Sequence, residues 1–426
     1  MTSDILTTDE IVEAGLCIGC GLCVGLVGAD RLRLVMTPEG RERPVPVDRL
    51  SDRENALVNA VCPGLQIHGA IEDELGPETE TDLIWGPASE ILIGYAADPT
   101  VRFRGSTGGV LTALGQFLLE SRRVKFVLHV GASRESPLRS EQRLSFDAAQ
   151  VLEGAGSRYG PAAALVDFEA ILSRGEPFAL IAKPCDITAV NNLARHDVRV
   201  GRLLRYRLAL VCGGASDLAK SEDLLAQFGI AENQLRLLRY RGYGNPGPTR
   251  IETEDGRAYE VSYQELWEDE SKWMIQPRCK ICPDAIGEAA DIVASDTWPG
   301  GGPTGEDEGF NGNIVRTDRG RTLLQAALSS GALIVERRID FRELDVVQPH
   351  QVRKKRAVWA RLAGMKAAGL PVPCTNRLRI ASCARLNCLE ENLSEARGAR
   401  ARARQGRLGE PKPRPRSGDT RATTPD

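Results

Sequence analysis

Four cysteines constrain this chain more than any other feature. Cys17-Ile18-Gly19-Cys20-Gly21-Leu22-Cys23 has the spacing C-x2-C-x2-C, and Cys62 follows in Val61-Cys62-Pro63-Gly64. An iron–sulfur cubane takes one thiolate per iron, and tight glycine-containing turns let backbone amides donate to sulfur. In two-cluster ferredoxins the run continues x3-C-P, and that next cysteine serves the other cluster. Here Val27 stands in its place. The run is therefore read as half a ferredoxin: one 4Fe–4S site made of Cys17, Cys20, Cys23 and Cys62. A zinc site or ordinary buried cysteines are the competing readings.

Composition narrows the class. Eleven cysteines in a chain of 426 residues, with no signal peptide and no long apolar run, point to a soluble, cytoplasmic, cluster- or metal-binding protein rather than a disulfide framework. The net charge of −3 sets up no field that selects nucleic acid or a membrane. Only four histidines occur (His68, His129, His196, His350), none in a ligand-like pair, so the chemistry should not rest on histidine.

Residues 1–75 read as the small half-ferredoxin module, with an alternating strand at 31–36 and a turn at Thr37-Pro-Glu-Gly40. Residues 76–89 are acidic and rich in Pro, Gly and Thr, which predicts a linker. From residue 90 strands and helices alternate. Strands are expected at 90–96, 124–130, 178–182 and 206–211, with helices at 110–119, 161–173 and 217–228. That order predicts an α/β fold: a mostly parallel or mixed central sheet with helices on both faces, preceded by the iron–sulfur module. Residues 90–175 would form the first part of the core and 176–345 the second, with a β excursion over 235–263. Residues 320–368 read as mainly helical, and 346–394 as a helical C-terminal segment. From 395 to 426 arginine, alanine, proline and glycine dominate, which predicts a disordered basic tail.

A second cysteine group emerges from the strands. Cys185 and Cys212 each follow a predicted parallel strand, and ligands collect at the carboxyl ends of strands in open α/β sheets. Cys279-Lys-Ile-Cys282 is a half-site that needs two more ligands. Cys185, Cys212, Cys279 and Cys282 are grouped as a second 4Fe–4S site, with zinc or buried cysteines as alternatives. Cys374, Cys383 and Cys388 stay unassigned. Two glycine-rich loops precede predicted helices, Arg104-Gly-Ser-Thr-Gly-Gly109 and Gly156-Ser-Arg-Tyr-Gly160. Free amides and an arginine at each, Arg104 and Arg158, suggest phosphate contacts. Two such loops beside clusters suggest a dinucleotide such as FAD. Two tight strand-to-helix turns are the plain alternative.

Four stretches together resemble a known family: Arg104–Gly109 with its helix, Lys183-Pro-Cys-Asp186, Cys279-x2-Cys282, and Ala290-Asp-Ile-Val-Ala-Ser-Asp-Thr-Trp298. This is the coenzyme F420 hydrogenase/dehydrogenase β-subunit family. It includes F420-reducing hydrogenase β subunits, 7-hydroxymethyl chlorophyll a reductase and a divinyl chlorophyllide vinyl reductase. The resemblance spans roughly residues 12–340. It implies an FAD-binding α/β core with one or two 4Fe–4S clusters, and it supports the second cysteine group. It makes Arg104, Ser106, Thr107, Gly108, Gly109, Gly156, Ser157, Tyr159 and Lys183 flavin contacts. Glu308-Gly-Phe-Asn311 looks like the family's loop near the flavin, which adds Asn311. Many members have Gly-Asp-Ser/Thr-Trp where this chain has Ala294-Ser-Asp-Thr-Trp298. Asp296 joins Lys183 as a catalytic candidate.

Clusters beside FAD make a converter between single electrons and hydrides. The expected protein is an iron–sulfur flavoprotein oxidoreductase. Lys183 would place positive charge by the flavin and favour its reduced anion. One form is a ferredoxin-fed reductase of a conjugated, tetrapyrrole-like substrate. Another is an electron-transfer β subunit that exchanges a hydride with coenzyme F420 inside a larger complex. A third, non-enzymatic form is a zinc protein with a basic tail on nucleic acid. Nothing in the chain excludes a homo-oligomer. The helix predicted over Gln351–Met365 has two readings: a basic face for an acidic ferredoxin, or an amphipathic helix with Val358, Leu362 and Met365 inward and lysines in water.

Overall fold

The computed structural model describes residues 5–298, 302–303 and 308–417. Its centre is a sheet of eight strands, numbered here in chain order: β1 (Glu90–Ala96), β2 (Phe126–Ala132), β3 (Ser140–Ser145), β4 (Phe178–Ala182), β5 (Leu204–Leu210), β6 (Ile292–Asp296), β7 (Asn311–Val315) and β8 (Leu333–Arg338). The spatial order is β8-β1-β7-β6-β5-β4-β2-β3. The middle pairings β2–β4, β4–β5 and β5–β6 are parallel. The flanking pairings are antiparallel.

Both faces are buried, as a sheet with a parallel centre requires. Leu92, Val127, Ala179, Leu208 and Ile292 pack on one side with helices Val110–Glu120 and Asp318–Ser329. The alternate residues Ile91, Phe126, Phe178, Ala209 and Val293 face the other side, with Phe168, Ile187 and Val190. This two-residue alternation is the strand period itself. The expected α/β architecture holds, and the sheet is mixed.

The topology collects one working edge. Strands β1, β2, β4, β5 and β6 end there, and β7 begins there. Asp296 at the end of β6 pairs with Asn311 at the start of β7, which pairs with Gly94 of β1. Lys183 and Cys212 follow β4 and β5 at the same edge.

Four expectations need correction. Residues 76–89 are not a free linker. They form a short hairpin, Glu80–Asp82 with Gly86–Ala88, around a fully buried Trp85. Trp85 Nε1 donates to Asp345 Oδ1 at 2.7 Å, and buried Arg316 donates to the carbonyls of Trp85 and Pro87. One aromatic anchor outweighs the polar composition around it.

No helix starts at Pro161. The segment 156–163 stays irregular, and the helix begins only at Phe168. Backbone groups here serve distant partners instead: Leu165 N donates to Cys20 O, and Ala162 O accepts from Lys183.

The stretch 320–368 also contains a strand, β8, which pairs with β1. Its Glu336-Arg-Arg338 end is exposed, so an edge strand was hidden by its charge.

The C-terminal region is structured from 395 to 417, and residues 418–426 of the expected tail lie outside the described residues. Helix Leu389–Arg404 lies on helix Pro349–Lys366, and Leu408 is buried beyond it. The contact is backbone-close. A methyl group added at Gly364 would strike the Ala396 carbonyl. Small residues allow this packing without the bulky apolar residues whose absence had suggested disorder.

Candidate functional site

The first cysteine quartet sits where three short elements meet. Helix Thr8–Glu13 is held by a capping box of Thr7 and Glu10, and Cys17 follows it. Gly21, at φ 83°, starts helix Leu22–Val27, which carries Cys23. Helix Asp52–Val61 has a second capping box, Ser51 with Glu54, and ends on Cys62. Cys17, Cys20, Cys23 and Cys62 line one cavity with Ile11, Val58 and Val61. Backbone amides reach two of the sulfurs: Gly19 N donates to Cys17 Sγ at 3.3 Å and Gly64 N to Cys62 Sγ at 3.4 Å. Burial pushes the thiols of Cys17, Cys20 and Cys23 up, and that of Cys62 to about 12. A metal bound here must displace those protons.

The second predicted quartet also faces one cavity. Cys185 opens helix Pro184–Leu193 after β4, and Cys212 follows β5. Cys279 lies in the short helix Pro277–Lys280, with Cys282 just beyond it. The four line a cavity with Lys183, Arg278 and Lys354. Ala215 N donates to Cys279 Sγ at 3.3 Å. Burial raises the thiols of Cys185 and Cys279, and that of Cys212 to about 12.

The two cavities are neighbours. Ile18 lines both. Arg278 lines the second and donates to the Pro63 carbonyl, at the wall of the first, at 3.0 Å. Lys183 sits at the second cavity and pairs with fully buried Asp186 at 2.8 Å. Among the described residues no three His, Cys, Asp or Glu side chains form a group that could hold one metal ion. Each cysteine quartet surrounds a cavity, and a cubane spreads its thiolates over four irons.

The glycine-rich loops meet at the sheet edge. Ser157 Oγ donates to Ser106 Oγ at 2.8 Å and joins them. Asn311 Nδ2 donates to Thr107 Oγ1 at 2.8 Å, and Asn311 Oδ1 accepts from Val110 N at 3.2 Å. Asn311 therefore fixes the first loop onto β7. Ser106 and Thr107 do not cap the helix that follows. Gly109 holds that position at φ 72° without a side-chain bond. Gly108 has a packing reason. A Cβ there would lie 2.9 Å from Gly94 O and from Asn311 N. Arg104 is half-buried at the rim, and its Nε has no hydrogen-bond partner.

Arg158 is no phosphate ligand. It donates to the carbonyls of Leu238, Pro137, Leu138 and Arg139, which holds the β excursion against the core. Arg241, which sequence reading missed, takes the central place. Its guanidinium donates to Asp296 at 2.9 Å and 3.3 Å, to Ser106 O at 2.6 Å and to Tyr159 Oη at 3.3 Å. It is buried and lies over the rings of Tyr263 and Trp298. One arginine thus joins both glycine loops to the end of β6. Its only sequence signal is a place beside the Gly-rich turn 242–247.

The helix Pro349–Lys366 buries Val358, Leu362 and Met365, as its amphipathic reading expects. Lys355 departs from that reading. It is buried, pairs with Glu288 at 2.5 Å and donates to Pro283 O at 2.9 Å. Lys355 cannot be a docking charge. The same helix stitches the edge together: Gln351 donates to Cys212 O at 3.0 Å, and Gln348, just before it, donates to Asp296 O at 2.7 Å. Residues 299–301 and 304–307, between Trp298 and the Glu308–Asn311 stretch, lie outside the described residues. Among the described residues no helix is long and apolar enough to cross a membrane.

Comparison with known proteins identifies the family of the chain. Two family models described as "Coenzyme F420 hydrogenase/dehydrogenase, beta subunit" match the chain, the amino-terminal one over residues 91–167 and the carboxyl-terminal one over residues 175–340. The chain is 23% identical over 341 residues to a coenzyme F420-dependent sulfite reductase of Methanocaldococcus jannaschii, covering 75% of this chain and 47% of that protein. It thus spans about half the length of that relative. It is 21% identical to a coenzyme F420 hydrogenase subunit beta of Methanococcus voltae, over 68% of this chain and 99% of that one. A chain of the F420-reducing [NiFe] hydrogenase complex of Methanosarcina barkeri superposes with a TM-score of 0.48 at 16% identity, covering 65% of this chain and 95% of that one. The matched residues hold the whole sheet, both glycine-rich loops and the second cysteine group, and the chain belongs to the coenzyme F420 hydrogenase/dehydrogenase β-subunit family.

Proposed function

We propose that this chain is an iron–sulfur flavoprotein oxidoreductase. Cys17, Cys20, Cys23 and Cys62 would hold one 4Fe–4S cluster, and Cys185, Cys212, Cys279 and Cys282 a second. The glycine-rich loops and Asn311 would hold FAD, and the substrate would be coenzyme F420 or a conjugated, tetrapyrrole-like compound. The observation that carries this reading is the shared wall. Ile18 lines both cysteine cavities, and the second is lined by Lys183 and Cys212, which follow β4 and β5 at the sheet edge where β6 ends in Asp296. The donor chemistry fits: eight buried or half-buried thiols in two quartets, with backbone N–H groups aimed at three of the sulfurs.

A flavin bound at the loops supplies the conversion between single electrons and hydrides. The chain's own residues bind and orient it. Arg104 offers an Nε with no partner, and Ser106 and Ser157 offer hydroxyls at the junction of the loops. Arg241 keeps Tyr159, Ser106 and Asp296 in register. Lys183 acts at the second cysteine cavity, where its charge faces Cys185 and Cys212.

Anaerobic purification tests the reading. Bound FAD and about eight irons, from two four-iron clusters, are expected. A colourless protein with zinc and no flavin would overturn it. A role as an electron-transfer subunit is favoured by relatives named as β subunits. Co-purification of a stoichiometric partner supports that form. Bleaching of the flavin band by reduced ferredoxin alone supports a ferredoxin-fed reductase.

A further inference from the structure

The C-terminal segment returns to the first cysteine site. Residues after helix Leu389–Arg404 run along the N-terminal module. Leu408 is buried with Ile11, Ala14 and Leu16. Glu410 N donates to Glu13 O at 3.0 Å, Lys412 pairs with Asp9 at 3.1 Å, and Arg416 N donates to Met36 O at 2.7 Å. The approach depends on Gly15. At φ 67° a Cβ would lie 1.8 Å from the Leu408 carbonyl oxygen.

The segment delivers one carboxylate to two arginines. Glu410 accepts from Arg43 Nε and Nη2, both at 2.8 Å, and also pairs with Arg41 at 3.3 Å. Arg43 is fully buried, and Glu410's side chain is 3% exposed. Arg43 also donates to Gln276 Oε1 at 2.9 Å and to Glu42 O at 2.8 Å. Gln276 precedes the helix that carries Cys279. The guanidinium lies against the first cysteine turn, so that a methyl group at Gly19 would come within 3.3 Å of its Nη1. A buried charge is retained only when it is paired and hydrogen-bonded, and here the partner comes from the far end of the chain.

We propose that Arg43, clamped by Glu410 of the C-terminal segment, is the electrostatic positioning residue of the first cysteine site, and that this segment thereby completes the site. The inference rests on the proposed reading of Cys17, Cys20, Cys23 and Cys62 as cluster ligands. Arg43 favours the more negative, reduced state of whatever those thiolates bind, and Glu410 offsets part of that charge. Neutralising Glu410 should therefore make the site easier to reduce.

The test is a redox titration followed by electron paramagnetic resonance, comparing full-length protein with Glu410→Gln and Glu410→Asp. A Cys282→Ser background isolates the first site. Glu410→Gln is expected to shift the reduced-to-oxidised ratio of the first cluster at fixed potential by up to about tenfold toward reduced, about 59 mV for one electron. Glu410→Asp, which keeps the charge, should stay near the parent. An unchanged first-site potential in Glu410→Gln, or an equal shift at both sites in the Cys282 parent, would overturn the proposal. A chain ending at Gln405 gives a second readout that needs no cluster. Alkylation of Cys17 should accelerate at least severalfold, while that of Cys212 should not. Equal rates with and without the segment would also overturn the proposal. If the parent protein holds no iron, the function proposed above fails, and the alkylation arm still decides whether the segment covers the site.

Discussion

Arg278 Nη2 donates to the carbonyl of Pro63 at 3.0 Å, from the helix that carries Cys279 to the residue after Cys62. Two cysteine loops more than 200 positions apart are joined by this one bond. Arg278 is buried, and Ile18 lies in the wall of both cavities. The distance between the two sites is therefore set by side chains of the protein rather than by solvent.

Replacing Arg278 with methionine keeps the buried stem and removes the bond. Unfolding by urea should show a loss of about 1–3 kcal/mol, the usual cost of leaving a buried acceptor, here the Pro63 carbonyl, without its partner. An unchanged midpoint would mean that the two loops are held independently of Arg278.

Cysteine replacements should divide the iron. Cys282→Ser is expected to lose about half of it and leave the first site filled, and Cys20→Ser should do the reverse. Iron and acid-labile sulfide per chain are the measurement. Loss of all iron from either variant would show one shared site in place of two.

Arg241→Met leaves Asp296 without its partner and frees the Ser106 carbonyl and the Tyr159 hydroxyl together. Removing one member of a buried pair costs up to about 3–5 kcal/mol, and less here because the Asp296 side chain is 28% exposed. Bound flavin, read by fluorescence after release, should fall at least tenfold. Asp296→Asn, which retains hydrogen-bonding groups, should lose less. Equal flavin content in Arg241→Met and the parent would remove Arg241 from the site.

Gly108→Ala should destabilise by about 1–3 kcal/mol, the range for overpacking. The added methyl would meet backbone on two strands, Gly94 O and Asn311 N. Neither can retreat without breaking the β1–β7 pairing. Thermal unfolding reads the effect, and a neutral result would show that the loop can lift off the edge.

His129 and His350 predict acid sensitivity. Burial holds both imidazoles at about 4, below the ordinary 6.5. His129 Nε2 is 2.7 Å from Ser145 Oγ, and the Arg143 charge also disfavours protonation. The unfolded chain takes protons near pH 6.5, whereas the folded one does so only near 4. The stability these groups contribute is therefore complete above 6.5 and is lost as pH falls toward 4. His129→Asn should flatten the stability profile between pH 6.5 and 4. An unaltered slope would assign the acid sensitivity to other groups.

Much of the site was legible in the sequence because its chemistry is local or topological. The C-x2-C-x2-C spacing by itself brings Cys17, Cys20 and Cys23 to one cavity. Cys185 and Cys212 could be joined to Cys279 and Cys282 because parallel strands end on one edge. Apolar alternation in β1, β4 and β5 placed the sheet within a residue or two of where it lies.

Other features depended on partners that no local pattern reveals. Arg241 binds Asp296 across 55 positions, and Arg43 binds Glu410 across 367. Arg158 looked like a phosphate ligand because its loop is glycine-rich, but nearby carbonyls compete for the same guanidinium. Residues 76–89 and the tail looked solvated because their average polarity is high, yet Ile84, Trp85 and Ala88 anchor the first and Ala399 and Leu408 the second. Periodicity and spacing are properties of neighbours along the chain, and they determined the elements, the sheet edge and the two cysteine quartets. Which buried charge meets which carboxylate depends on how those elements pack, and only the tertiary structure decided it.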